Sequence, residues 1–199
     1  VIGDVELFAG AGLTAKRVGV TGTNGKSTTT ALIGHLLRAA GRAVEVGGNI
    51  GMPVLDLAPL GADGTYVLEM SSYQIDLTPS LICDVAVLLN VTPDHLDRHG
   101  AMAGYVAVKR RIFAGQGTAQ TAVIGVDDDH CAAIYRDLRA LGRQKVVPIA
   151  VGRRVADGIS VIGGRLYEAD AADPAIDLAR CKALPGEHNW QNAAAAFAA

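Results

Sequence analysis

The residues best suited to chemistry form a short glycine-rich segment, GTNGKST, at positions 22–28. It follows the β-branched run KRVGVT and precedes a stretch with helical spacing, which predicts a strand, a tight turn and a helix. At such a turn, backbone N–H groups and the helix dipole bind phosphate, while Lys26 adds a point charge and Ser27 can ligate Mg²⁺. The usual pattern has Gly six residues before the lysine, where this chain has Val20. The segment still predicts a nucleotide-phosphate site formed by Gly22, Thr23, Asn24, Gly25, Lys26, Ser27 and Thr28.

Polar side chains also follow other predicted strands, at the edge where open α/β sheets bind ligands. Asn49 follows the second strand, Glu69 ends the apolar run TYVLE, and His95 lies in TPDHLD after the next strand. Carboxylates suit Mg²⁺, which takes oxygen ligands together with substrate phosphates. Taken alone, Glu69 could cap a turn or face solvent, and His95 could bond to a neighbouring aspartate. Their convergence with the phosphate loop at one edge favours a functional role for both.

Lys109 is a further candidate on a helix predicted over residues 105–113. It lies four residues after Tyr105, so the two side chains share one helix face. Without other information, Lys109 is explained as a solvated helix lysine.

Composition and absent motifs exclude several classes of protein. With 50% hydrophobic and 19% charged residues, the chain is too apolar for intrinsic disorder. A formal net charge of −2 gives no field that would attract nucleic acid or an acidic membrane, so neither is expected as a partner. Three widely spaced cysteines, an acidic start and no long apolar run predict a soluble cytoplasmic protein. A GTPase switch is disfavoured, because strand 84–91 does not end in aspartate and the guanine-reading Asn-Lys-x-Asp motif is absent.

Strands and helices alternate along the chain, which predicts an open sheet with helices on both faces. Strands are predicted at 16–21, 43–46, 65–70, 84–91, 121–126 and 146–151, and helices at 27–40, 105–113 and 130–141. The apolar positions Ala31, Leu32, Leu36 and Ala39 of the first helix keep helical spacing. Gly163-Gly164 separates the runs 159–162 and 165–168, as in a two-residue β-hairpin. The expected fold is a three-layer α/β/α, P-loop NTPase-like sheet, mostly parallel, with a small antiparallel hairpin near the C-terminal part.

Six ordered blocks resemble the ATP-dependent Mur ligases of bacterial cell-wall synthesis. They are GTNGKSTTT at 22–30, GGNIGMP at 47–53, LEMSSYQID at 68–76, LNVTPDHLDRH at 89–99, YVAVKRRIF at 105–113 and PGEHNWQNAAAA at 185–196. Within that family, the LEMSSYQ and GGNIG blocks favour the members that add D-glutamate to UDP-N-acetylmuramoyl-L-alanine. The resemblance implies amide formation through an acyl phosphate in peptidoglycan synthesis, with ATP and two Mg²⁺ ions as cofactors.

The resemblance also implies roles for individual residues. Lys26 would contact the β- and γ-phosphates, Ser27 and Glu69 would hold the first Mg²⁺, and His95 the second. Lys109 matches a lysine that the family carries as a carbamate formed with CO₂, a carboxylate-like metal ligand. A lysine with the ordinary pKa of about 10.4 is almost fully protonated at neutral pH, so burial and metal would have to stabilise that carbamate. Catalysis would depend on Lys26, His95 and Lys109, muramoyl-substrate binding on Asn49, Ser71 and Tyr105, and adenine binding on His188, Asn189 and Asn192.

In this family a central ATPase domain lies between an N-terminal UDP-binding domain and a C-terminal amino-acid-binding domain. The chain resembles the central one, so residues 1–14 are expected to be the connection from the first domain and residues 15–199 the ATP-binding domain of a longer polypeptide. The implied partners are the two flanking domains, UDP-N-acetylmuramoyl-L-alanine and D-glutamate. Alone, the chain is expected to bind Mg-ATP weakly and not to complete the reaction. Two alternatives stay open: the central domain of another Mur ligase or a folylpolyglutamate synthase, and a non-catalytic ATP-responsive module.

Overall fold

A computed structural model describes all residues, 1–199, and places nine strands in one sheet. The strands are β1 (Lys16–Thr21), β2 (Val44–Gly48), β3 (Thr65–Glu69), β4 (Val85–Leu88), β5 (Thr121–Gly125), β6 (Lys145–Val151), β7 (Ile159–Ile162), β8 (Arg165–Glu168) and β9 (Ile176–Asp177). Their order is β2-β3-β1-β4-β5-β6-β7-β8-β9. Pairing is parallel from β2 through β7 and antiparallel for β7–β8 and β8–β9. The predicted mostly parallel sheet with a C-terminal hairpin is therefore confirmed, and the hairpin extends the main sheet through β7.

Helices connect the strands and also precede them. They are α1 (Asp4–Ala9), α2 (Lys26–Ala39), α3 (Ser72–Asp76), α4 (Leu96–His99), α5 (Met102–Arg110), α6 (Asp129–Leu141) and α7 (His188–Ala198). The short helices α1, α3 and α4 have no counterpart among the predicted elements. Helix α1 lies in the stretch expected to be a connection, and it buries Val5 and Phe8, with the Phe8 ring edge-on to Tyr66 at 4.9 Å. None of the helices has the length and apolar character needed to cross a membrane.

Side chains of the central strands alternate between two cores, one on each face of the sheet. Val67, Val87 and Val123 contribute to the core that contains Ile33 of α2 and the alanines of α7. Leu68, Leu88 and Ile124, each one residue further along, contribute to the opposite core with α1, α3, α5 and α6. Successive strand side chains point to opposite faces, so continuous apolar runs are required when both faces are covered. The three-layer arrangement follows from these runs.

The buried face of α2 is not formed by the apolar positions whose spacing indicated the helix. Ala31, Leu36 and Ala39 are exposed, whereas Thr29, Thr30, Ile33 and Gly34 are buried. Helix α2 packs closely on β2 at Gly34, where an added Cβ would lie 2.4 Å from Val46 Cγ2. The helix thus approaches the sheet through its small residue, and this rotates the leucine at position 36 outward.

The strand register sets the positions of the polar strand ends. Strand β1, which leads into the phosphate loop, lies between β3 and β4. Glu69 at the end of β3 is level with Val20 in β1 and with Gly48 in β2. The loops that follow β1, β2, β3 and β4 therefore emerge side by side at one edge of the sheet.

Candidate active site

The loop between β1 and α2 is held in shape by the chain that follows β4. Thr23 N donates to the carbonyl of Asn90 at 2.9 Å, and Asn24 N donates to the Asn90 side-chain oxygen at 2.8 Å. Gly25 is left-handed, with φ of 84°, and caps α2. An added Cβ at Gly25 would also lie 2.2 Å from Asn192 Oδ1, so glycine is required there for two independent reasons. The loop is a turn at a helix N-terminus, the geometry that binds phosphate.

Lys26 lies over this loop. Its Nζ donates to the carbonyls of Gly22 at 3.0 Å and Thr23 at 2.8 Å, which places the ammonium charge inside the turn. A phosphate bound by the loop would meet both the charge and the helix dipole.

Glu69 forms the centre of a set of oxygen ligands. It is 2% exposed, and its two carboxylate oxygens accept hydrogen bonds from Ser27 Oγ at 2.7 Å and Asn49 Nδ2 at 3.0 Å. Hydroxyl and carboxylate oxygens this close together suit Mg²⁺, which usually completes its coordination with phosphate oxygens and water. No three His, Cys, Asp or Glu side chains cluster as a complete metal site. The protein thus offers a partial oxygen set beside the phosphate loop.

Lys109 is buried at the same loop, with 1% exposure. Its Nζ donates to the Gly22 carbonyl at 2.8 Å and to Thr21 Oγ1 at 3.2 Å, and it lies 4.8 Å from the centre of the Tyr105 ring. Burial, with repulsion from Lys26, lowers the pKa of the Lys109 amine from 10.5 to about 7. A substantial fraction of this amine is therefore neutral at neutral pH. The solvated-lysine interpretation is wrong, and so is the ordinary pKa on which the sequence argument relied.

His95 lies beside two aromatic rings, and one of them, Tyr105, also lies next to Lys109. It has φ of 49° at the start of α4, and its Nε2 lies 3.4 Å from Asp94 Oδ2. The imidazole is edge-on to the rings of Tyr73 at 5.3 Å and Tyr105 at 6.5 Å. The pairing with Asp94 is the alternative that the sequence left open. No hydrogen bond joins His95 to Glu69 or Lys109, although the Tyr105 ring contacts both His95 and Lys109.

The three residues expected to bind the muramoyl substrate have separate partners. Asn49 bonds to Glu69, as described above, and Tyr105 Oη lies 3.4 Å from Thr23 Oγ1. Burial raises the pKa of the Tyr105 hydroxyl. Ser71 caps α3: its Oγ accepts from Gln74 N at 3.2 Å, and the Gln74 side chain accepts from Ser71 N. Tyr105 thus contacts the phosphate loop, and Asn49 contacts the Glu69 carboxylate beside it. Ser71 caps the helix α3 that follows Glu69.

The N-terminal end of α7 packs beside the phosphate loop. Asn192 Oδ1 accepts from Thr29 Oγ1 at 3.3 Å, and its Nδ2 donates to Asn189 Oδ1 at 3.0 Å. Asn189 in turn donates to the Pro185 carbonyl at 2.7 Å and contacts His188. A cavity of about 510 Å³ lies between the loop and this helix. The predicted nucleotide residues on its wall are Asn24, Gly25, Thr28, His188, Asn189 and Asn192.

Three further polar residues of this cavity, which the sequence did not assign to nucleotide binding, are joined by hydrogen bonds. Asn90 Nδ2 donates to Gln191 Oε1 at 2.9 Å, and Gln191 Nε2 donates to Asp127 Oδ2 at 3.3 Å. This chain of bonds ties the loop after β4 to α7 and to the end of β5. Burial raises the pKa of the Asp127 carboxyl. The available signal was position, since Asn90 lies in the last residues of the predicted strand 84–91 and Asp127 directly follows the predicted strand 121–126, both at the ligand-binding edge.

Comparisons with known proteins identify this architecture. Residues 20–199 match the family described as Mur ligase middle domain. The UDP-N-acetylmuramoylalanine–D-glutamate ligase of Caulobacter sp. strain K31 is 54% identical over 207 residues, which cover 100% of this chain and 44% of that protein. The chain therefore spans less than half the length of this curated relative.

Solved structures agree on the fold. A UDP-N-acetylmuramoyl-L-alanyl-D-glutamate–2,6-diaminopimelate ligase matches with a TM-score of 0.74 at 24% identity, over 92% of this chain and 42% of that one. E. coli FolC, solved in complex with DHPP and ADP, matches with a TM-score of 0.66 at 20% identity, over 100% of this chain and 56% of that one. At these identities the likeness concerns the fold alone.

Proposed function

This chain belongs to the Mur ligase family, as its middle domain, and on that premise we propose that it is the ATP-binding domain of a ligase that adds D-glutamate to UDP-N-acetylmuramoyl-L-alanine. The observation that carries the proposal is the convergence of Lys26, Glu69 and Lys109 on one phosphate loop. The 54% identity to a D-glutamate ligase over the whole chain supports this substrate assignment.

ATP would lie between the phosphate loop and α7. The backbone N–H groups at the start of α2 and the Lys26 ammonium would bind the β- and γ-phosphates, as expected for a cationic loop at a helix N-terminus. His188, Asn189 and Asn192 would face the adenine, because they form the other wall of the cavity. The complex of FolC with ADP shows that a protein with this fold holds an adenine nucleotide.

The oxygen ligands around Glu69 fit one Mg²⁺ ion. Ser27 Oγ and the Glu69 carboxylate would hold it beside the phosphates, and Asn49 would orient the carboxylate through its 3.0 Å bond. A second ion would be held by His95 and Lys109. Bound Mg²⁺ would offset the negative charge that gathers on the phosphates during phosphoryl transfer.

Lys109 fits the role of a carbamate because its amine is buried and close to neutral. Only the neutral amine reacts with CO₂, and the pKa of about 7 leaves a large neutral fraction at neutral pH. The product carries a carboxylate-like group and releases one proton. Its negative charge would replace the repulsion between Lys109 and Lys26 with attraction, and would offer an oxygen ligand to a metal.

The reaction that these residues would support joins a carboxylate to an amine. The muramoyl-alanine carboxylate would attack the γ-phosphate of ATP to give an acyl phosphate and ADP, and the amine of D-glutamate would then displace phosphate. Asn49, Ser71 and Tyr105 would position the muramoyl substrate. Flanking domains would supply the uridine and D-glutamate sites, and the enzyme would work in the cytoplasm, where ATP is made available.

The alternatives receive less support. Another Mur ligase or a folylpolyglutamate synthase shares this fold, yet such structures match at only 24% and 20% identity. A non-catalytic ATP-responsive module would have no use for a buried carboxylate at the phosphate loop together with a buried, near-neutral lysine.

Titration calorimetry of the chain with Mg-ATP tests the nucleotide site. Lys26→Ala should weaken binding roughly 10- to 150-fold, since a charge-assisted phosphate contact contributes about 1.5 to 3 kcal/mol. Lys16→Ala is the matched control, because Lys16 is an exposed lysine at the opposite end of β1. A folded wild-type chain that shows no heat at millimolar ATP would refute binding by this domain alone.

The substrate assignment needs the protein that carries this domain together with its flanking domains. Phosphate release should require ATP, UDP-N-acetylmuramoyl-L-alanine and D-glutamate together. Glu69→Gln should abolish the Mg²⁺-dependent step while leaving the fold intact, because the amide keeps the size of the carboxylate. Release that persists without D-glutamate, or that requires a different amino acid, would reject the assignment.

A further inference from the structure

The segment that carries His95 has almost no apolar anchorage. Helix α4 contributes no buried residue, and His95 and Gly100 on either side of it both have positive φ, 49° and 74°. A segment without buried side chains gains little from the hydrophobic effect and opens easily unless polar contacts hold it. The position of the imidazole therefore depends on a few identifiable bonds.

Two sets of contacts fix the ends of this segment. At its start, Thr92 N donates to Thr23 Oγ1 at 3.0 Å, and the same hydroxyl donates to the Thr92 carbonyl at 3.1 Å. At its end, Arg98 Nη2 donates to Asp76 Oδ2 at 3.2 Å, and His99 Nε2 lies 3.0 Å from Ser72 Oγ. Both Asp76 and Ser72 belong to α3. The phosphate loop thus holds one end, and α3 holds the other.

Asp76 also holds a third element. Its other carboxylate oxygen accepts from Arg111 Nη1 at 3.0 Å, and Arg111 directly follows α5, the helix that carries Lys109. Asp76 is the last residue of α3, where a negative charge meets the negative end of the helix dipole, so α3 itself gains nothing from it. The carboxylate is instead shared by two guanidinium groups, and charges joined in a network contribute more than isolated surface pairs.

We infer that Asp76 is a positioning residue: by joining Arg98 and Arg111 it keeps the His95 segment at a fixed distance from the helix that carries Lys109. The inference rests on the proposed function, in which His95 and Lys109 act on the same ion. Asp76 would touch neither nucleotide nor metal, and its effect would reach the site through the backbone of residues 95–98.

Hydrogen exchange of the metal-free chain tests the anchoring directly. In Asp76→Asn, the amides of residues 95–100 should exchange about 3- to 10-fold faster than in the wild type, because two ion pairs are weakened, while exchange in β1 and α2 stays unchanged. Asp137→Asn is the matched control: it breaks the 2.7 Å pair with Arg110 on the exposed side of α5 and should leave the segment unaffected. Unchanged exchange in Asp76→Asn, or equal acceleration throughout the sheet, would overturn the inference.

Arg98→Gln keeps the test open if Asp76→Asn folds poorly. It removes one partner from an exposed position, and combining it with Asp76→Asn should accelerate exchange no further than Asp76→Asn alone. Additive acceleration would mean that the two residues act separately and would contradict the proposed link.

Kinetics of the intact ligase provide the functional measurement. Asp76→Asn should lower kcat and raise the Mg²⁺ concentration needed for half-maximal rate by about 3- to 10-fold, with KM for ATP unchanged, and Asp76→Glu should restore much of the loss. If the wild-type ligase fails to turn over its proposed substrates, the proposed function fails while the exchange result stands. If the wild type is active and Asp76→Asn matches it in exchange and in Mg²⁺ dependence, the inference about Asp76 alone fails.

Discussion

The variant Lys109→Met tests whether burial lowers the pKa of the Lys109 amine to near 7. The side chain is 1% exposed and its pKa is lowered to about 7, whereas in the unfolded chain it returns to its usual value of about 10.4. Between these two values the unfolded chain binds more protons than the folded one, so the free energy of unfolding rises with pH over that window. Below pH 7 both states are protonated and the full cost of burying the charge remains. Methionine has no such cost at any pH.

The expected magnitude follows from the pKa difference. One pKa unit corresponds to about 1.36 kcal/mol, so between pH 7 and pH 9 the wild type should gain about 2 kcal/mol of stability relative to Lys109→Met. Using the difference between the two proteins cancels the titration of groups that both share.

This difference is measured by urea unfolding at several pH values in CO₂-free buffer, with circular dichroism as the signal. Lys145→Met is the control, since it removes an exposed lysine at the start of β6. Plotted against pH, the free energy of unfolding of the wild type should approach that of Lys109→Met as the pH rises from 7 to 9. The free energy of unfolding of Lys145→Met should change with pH in parallel with that of the wild type. A constant gap between wild type and Lys109→Met would show that the amine is not buried as described. Repeating the series with bicarbonate should reduce the gap at pH 8, because the carbamate removes the ammonium charge.

Other outcomes can be measured on the same chain. Gly25→Ala should lose about 1 to 2 kcal/mol from its left-handed backbone and more from the clash with Asn192, whereas Gly12→Ala, with φ of 67° and no atom within 4 Å, should show only the backbone cost in thermal melts. Only one of the three thiols, Cys181, should react with a disulfide reagent at pH 8 in the native protein, because burial raises the pKa of the other two, that of Cys83 to about 12; all three should react in urea. Rapid reaction of a second thiol would contradict the described packing.

Local patterns were sufficient for the order of the main elements. The apolar runs ending at Glu69 and before Asn90 required coverage on both faces, and the Gly163-Gly164 pair between two short strands required a hairpin. These features depend on neighbours in sequence, so the sequence alone determines them. The short helices α3 and α4 escaped prediction because so few residues carry too little periodic signal.

Contacts between residues distant in sequence could not be predicted for a different reason. The spacing of apolar residues, Leu36 among them, indicated the helix α2, but the close approach at Gly34 leaves Leu36 facing solvent. Nothing local distinguishes Gln191 from an exposed helix glutamine, yet in the fold it links Asn90 to Asp127. Asp76 likewise becomes an anchor only when Arg98 and Arg111 meet it.

The residue types at the site were therefore determined by the sequence: the glycines, lysine and serine of the phosphate loop and the glutamate at the end of β3 can be assigned from motif and position, and the lysine of α5 from the family resemblance. Their chemical state was decided only by the tertiary structure. Lys109 would have an ordinary pKa on an isolated helix, and its pKa falls to about 7 because burial of its amine beside Thr21 and Gly22 removes water and places it near Lys26. Desolvation and charge proximity depend on the whole three-dimensional arrangement, and no window of sequence contains them.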